Sequence, residues 1–146
     1  MSGAAPHPRQ ALVASWVAQM IGTLVLAAAV LAFVKGAGVK LSDPNPEVQR
    51  YMMIAILVAA GPALAYLRGY KRRLIADEKA VRERGGVPEP AARAALMKSL
   101  AIGGALCELP MAVGVLQMLF GGETRWFLGA TLVTIAVRLS YRPFTR

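Results

Sequence analysis

The run Leu100 to Phe120, LAIGGALCELPMAVGVLQMLF, constrains this chain more than any other stretch. It is long enough to cross a bilayer, yet it carries one ionisable residue, Glu108, well inside the apolar sequence. A carboxylate at mid-helix costs roughly 2.5–3.5 kcal/mol even on the mildest insertion scale. Glu108 therefore needs a cation beside it, a proton of its own, or water. The fold has to supply one of them.

Three further apolar segments, Ala11 to Val34, Tyr51 to Tyr70 and Trp126 to Tyr141, supply most of the remaining apolar residues, which make up 56% of the 146. Together they predict an all-α, polytopic membrane protein with four transmembrane helices, over about 11–34, 51–84, 90–120 and 126–141. Residues 1–10 read as a polar N-terminus and 11–146 as a single membrane domain. A cleaved signal peptide, with Ala27 and Ala29 at its site, is the rival reading of the first segment. Against it stand the length of the apolar run and a basic flank of Arg9 alone. Lys35 to Arg50 reads as a loop by its Asp-Pro and Asn-Pro pairs. Past Leu67 the second helix is expected to continue to Arg84 as an exposed, charged stalk. Gly85-Gly86-Val87-Pro88 ends it, and Pro90 opens the next helix. Arg138 interrupts the fourth segment and is expected to snorkel inward.

The net charge of +9 invites a nucleic-acid reading. The basic residues lie between and beside the apolar segments, however, without interleaved aromatics, so they speak for topology and anionic lipid headgroups and against nucleic acid. Thirteen of the 17 fall in the N-terminus, the linker Arg68 to Lys98 and the C-terminal segment. Lys35, Lys40, Arg50 and Arg125 lie on the other side. This asymmetry puts both termini in the cytoplasm and the chain, multi-pass, in a bacterial-type inner (plasma) membrane. Arg68, Lys71, Arg72 and Arg73 are then placed to meet headgroups or a partner. Tyr51 and Trp126 mark the outer interface, and Tyr66, Tyr70 and Tyr141 the inner one.

One cysteine, Cys107, and one histidine, His7, exclude an intrachain disulfide and a bis-histidine haem and leave no metal-ligand spacing. There is no phosphate-binding loop and no Ser–His–Asp set. No catalytic residue, metal or cofactor is expected, and the chain does not read as an enzyme. Cys107, Met111 and Met118 read as packing residues.

The intramembrane polar groups fall at one depth. Helices three and four run antiparallel about a turn at Glu123, and Glu108 and Arg138 are equidistant from it in sequence, so they lie level. Gln19 is about as far into helix one, on a polar stripe with Ser15 and Thr23 that is expected to point inward and hydrogen-bond a neighbouring helix. Pro62 and Pro110 each remove a helical donor, which is expected to free the carbonyl of Val58 or bend that helix, and to free the carbonyl of Leu106. Ala55, Ala59 and Ala63 form a small ridge on helix two, and Gly104, Ala105 and Ala112 flank Glu108, so other helices can approach closely. Three roles are open to Glu108: an ion pair with Arg138, helped by Gln19; a protonatable carboxyl that exchanges H+ or Na+; or exposure at the interface through a water-filled notch. Thr131, Thr134 and Arg138 share a face, which favours an inward Arg138.

Gly104-Ala105-Leu106-Cys107-Glu108-Leu109-Pro110-Met111-Ala112-Val113-Gly114 resembles the carboxylate helix of the ATP synthase proteolipid, the ring-forming c subunit. That helix likewise has an acid, a proline close after it and small residues leading to a Met/Phe-rich end. The resemblance covers about twenty residues and implies an ion-binding acid at Glu108 and a close-packing ridge at Ala55, Ala59 and Ala63. The partner helix lacks the glycine repeat of that family, and the acid lies on the third of four helices. The chain also resembles a loose group of small four-helix bacterial membrane proteins with an A-L-x-E-like motif on the third helix, which implies fold and location alone. The expected function is a small non-enzymatic membrane subunit that self-associates or joins a larger complex around Glu108. The alternatives are a proteolipid-like ring binding H+ or Na+, and an adaptor that docks a cytoplasmic partner through the basic 68–84 helix.

Overall fold

Helix starts and stops follow local chemistry in the computed structural model, which describes residues 8–144. The first helix, α1, spans Pro8–Ala37, and Gly38 ends it with φ of 60°. It begins inside the stretch expected to be a polar N-terminus; residues 1–7, His7 included, lie outside the described residues. α2 spans Pro46–Ala59, so it starts ahead of the expected Tyr51. The Asn-Pro pair is the reason. Asn45 is the N-cap, its side chain accepting from the Glu47 N–H at 3.0 Å, and Pro46 takes a first-turn position where no donor is needed.

Next come α3 (Gly61–Glu83), α4 (Pro90–Cys107), α5 (Leu109–Leu119) and α6 (Thr124–Ser140). Ala60 alone separates α2 from α3, and Glu108 alone separates α4 from α5. Both interruptions stand two residues before a proline, whose ring cannot donate and crowds the carbonyl four residues back. The chain answers by tightening: the Ala60 and Glu108 N–H groups each donate to a carbonyl three residues back at 3.2 Å. The carbonyls of Val58 and Leu106, expected to be freed, accept from these tightened turns. That expectation is corrected: the prolines bend their helices without leaving a free acceptor at these two carbonyls.

Among the described residues all regular structure is helical, without strands, and three stretches are long and apolar enough to cross a membrane: Arg9–Ala37, Pro46–Glu83 and Pro90–Leu119. α6, at 17 residues, falls short of that standard. It would reach about 25 Å, close to but under a hydrocarbon core.

α5 occupies the middle of the bundle. α2 and α6 pack along it, α3 packs along α4, and α1 lies more lightly across α4, α5 and α6. One apolar core gathers Leu12, Leu74, Leu96, Leu100, Tyr70 and Tyr141; a second gathers Ala27, Met111, Met118 and Phe127. Cys107 is fully buried in the first. Tyr70 and Tyr141 are therefore not interface anchors, as expected from sequence, but core residues with ring centroids 5.1 Å apart. The stalk is likewise not exposed on all sides. Tyr70, Leu74 and Asp77 recur on one face of α3 and are buried, with α4 packed alongside. The close approaches come from glycine. Gly103 lies under the Tyr141 ring, and a Cβ on Gly114 would sit 2.7 Å from that of Ala130 on α6.

Candidate functional site: a buried charge cluster

Glu108 sits at the break between α4 and α5 because Pro110 puts the break there. Breaking the helix also orphans the N–H groups that open α5. Thr134 of α6 answers one of them: its Oγ1 accepts from the Met111 N–H at 3.2 Å, and its side chain is fully buried. One turn further along α6, Arg138 faces the same interior, with its side chain only 3% exposed.

Arg138 is the hub. Its Nη2 donates to Glu108 Oε1 and, at 2.9 Å, to the Gly104 carbonyl; its Nη1 donates to Gln19 Oε1 at 3.2 Å. The Thr23 hydroxyl lies 2.7 Å from Glu108 Oε1 and 3.0 Å from the Gln19 carbonyl, with one proton to give. Glu108 thus faces a guanidinium and a hydroxyl at the same oxygen. Arg138 Nε and Glu108 Oε2 are buried without a hydrogen-bond partner, and the Glu108 side chain is about one-third exposed at 33%. Removing either partner of this ion pair would leave the other charge without its counter-ion inside the bundle. The arrangement couples α1, α4, α5 and α6 through charge.

The structure thus brings Glu108, Arg138, Gln19 and Pro110 together, with Thr23 completing the set. Ser15 flanks the row Leu12, Trp16, Gln19, Thr23 and takes no part. Trp16 anchors the same helix by donating from Nε1 to the Arg138 carbonyl at 3.1 Å. Pro62 is exposed and does not join the cluster; nearby on α3 the Ala63 carbonyl accepts from the Tyr141 hydroxyl.

The packing residues divide. Ala63 is fully buried, Ala55 and Ala59 are half-buried, and Gly104 is buried against the Gln19 amide. Ala105 and Ala112 are exposed, as is Ala101, so this part of the small surface is not used within the chain. Of the four basic residues assigned to headgroups or a partner, Arg68 and Arg72 are exposed and Lys71 is half-buried. Arg73 is engaged within the chain, donating to the buried Ser99 hydroxyl.

Two polar ties were missed by sequence reasoning. Arg93 of α4 meets Asp77 of α3 at 3.1 Å, the Asp77 side chain 5% exposed. The signal was present, since Tyr70, Leu74 and Asp77 recur at helical spacing where only a solvated charged helix was read. Gln117, fully buried, donates to Gln49 Oε1 at 3.1 Å, and Gln49 donates to the Phe120 carbonyl at 3.0 Å. Beside it the Leu41 N–H donates to the Leu119 carbonyl at 2.7 Å, so the 38–45 loop is fastened to the turn before α6. Among the described residues no three His, Cys, Asp or Glu side chains gather as a metal site would require. Comparison with family models, with curated proteins and with solved structures finds no match to this chain.

Proposed function

We propose that this chain is a small non-enzymatic subunit of a bacterial-type plasma membrane. In this reading all four helical segments cross the bilayer with both termini cytoplasmic, and the protein self-associates or joins a larger membrane complex. One observation carries the reading: Arg138 is buried against Glu108 and shared with Gln19 and the Gly104 carbonyl, which makes the carboxylate a structural lock between helices. Outward-facing apolar side chains such as Ile21, Val25 and Phe33 support the membrane, since a water-facing helix would not carry them all round. Exposed Ala101, Ala105 and Ala112 beside Leu109 and Leu116 support association, because small residues let helices approach.

The ion-binding alternative has one observation in its favour, the partnerless Oε2 of Glu108. Carbodiimide labelling in membranes across pH, with Glu108→Gln as control, separates the two. The reagent attacks a protonated carboxyl in an apolar setting and spares one held ionised by a cation. The expected result is no Glu108 labelling at any moderate pH. Labelling that fades as pH rises, or on adding sodium, would replace the lock with a proteolipid-like ion site. Orientation has its own test: a reporter fused after Arg146 is expected to be active only in its cytoplasm-requiring form. Activity of the periplasm-requiring form alone would invert the topology.

A further inference from the structure

α2 and α6 flank α5 but touch each other only sparingly, and a groove of about 410 Å³ opens between them. Arg50, Met53, Leu57, Trp126, Gly129 and Val133 are among its lining residues, and apart from Arg50 every one is apolar. Gly129 leaves the groove open: a Cβ built there meets nothing within 4 Å. Arg50 stands at one end, exposed and without an ion pair among the described residues. At the start of α6 the Glu123 carboxylate is engaged by Arg125 at 2.6 Å, and Arg125 lies 5.3 Å from the centre of the Trp126 ring.

An occupant must therefore be apolar along most of its length and anionic at the Arg50 end. From Arg50 to Leu57 the groove runs about two helical turns, roughly 10 Å. That is too short to seat a second membrane-crossing helix and suits the upper part of an acyl chain. The basic end and the indole of Trp126 lie where a headgroup meets the hydrocarbon, given the membrane reading proposed above, on which this inference rests.

We propose that the α2–α6 groove binds one acyl chain of a membrane phospholipid, with the lipid phosphate on Arg50. The guanidinium supplies the charge-assisted contact, and the alkyl chain lies over Gly129 against Met53, Leu57 and Val133. Gly129 is then a specificity residue, since any larger side chain occupies the space of the chain.

The test uses the full-length protein in detergent supplemented with palmitoyl-oleoyl phosphatidylglycerol, read by native mass spectrometry, with the matching diacylglycerol as a phosphate-free comparison. The wild type is expected to keep one phosphatidylglycerol per chain. Gly129→Leu is expected to lower that fraction at least about fivefold, the effect of leaving one to two methylenes unburied. Arg50→Gln, an exposed change that leaves packing alone, should lower phosphatidylglycerol retention to the diacylglycerol level. Equal retention by the wild type and Gly129→Leu would overturn the proposal, as would equal retention of both lipids by the wild type. So would a Gly129→Leu protein that loses oligomer but not lipid, which would assign the groove to a second copy. A chain that stays in solution without detergent would defeat the membrane reading itself.

Discussion

Arg138→Ala is expected to be the most damaging single change in this chain, costing about 3–5 kcal/mol of stability. The cost is not the loss of an attractive contact as such. Truncation leaves Glu108 with one hydroxyl and no cation, and strips the Gly104 carbonyl and the Gln19 amide of their donor. Thermal unfolding in detergent, followed by circular dichroism, measures it. Glu108→Gln alone should also destabilise, because it leaves a buried guanidinium unneutralised. The double variant Glu108→Gln, Arg138→Gln should recover most of the loss, since two neutral amides can bond to each other and to Thr23 without an unpaired charge. If Arg138→Ala unfolds with the wild type and the double variant gains nothing, Glu108 carries its own proton and the lock does not exist.

Gly103→Ala is expected to cost about 1–3 kcal/mol, a large effect for one methyl group. The added carbon would collide with the Tyr141 ring, which is held at its far end by the hydroxyl's bond to the Ala63 carbonyl and on one side by Tyr70. With the ring held, the helices must separate, and α3, α4 and α6 all meet at that point. Gly69→Ala is the matched control. It adds the same methyl to a helix glycine with open space around it, so only the better helix propensity of alanine remains and the expected change is a small gain. Tyr141→Leu in the Gly103→Ala background should return part of the loss by removing the obstacle. Equal effects at Gly103 and Gly69 would mean that helix propensity, not the Tyr141 contact, sets the response.

Much of this architecture depends on neighbours in sequence and was readable there. Glycines at 38, 85 and 86 end helices with positive φ because a side chain is strained in that conformation. Pro62 and Pro110 mark the interruptions because a proline cannot donate. Glu108 and Arg138 stand equidistant from Glu123, and two helices joined by a short turn must carry such residues at one level. Even here local rules misled where one residue had two uses. Asn45-Pro46 was read as loop and is a helix start. Val58 and Leu106 were expected to offer free carbonyls and do not, because tightened turns supply donors to both.

What the tertiary structure alone decided is rotation. α1 is apolar nearly all round, and its polar stripe Ser15, Gln19, Thr23 marks the inward face without saying which of the three meets which partner. Only the assembled helices turn Gln19 and Thr23 toward Glu108 while Ser15 stays aside. The same holds for Gly103 under Tyr141, for Asp77 meeting Arg93, and for Gln117 reaching Gln49. Each of these needs the azimuth of two helices at once. Depth follows from counting residues along one helix, so the sequence by itself determined the level of the charge cluster. Which partners face one another at that level depends on how several packed surfaces are satisfied together, and that is a property of the fold.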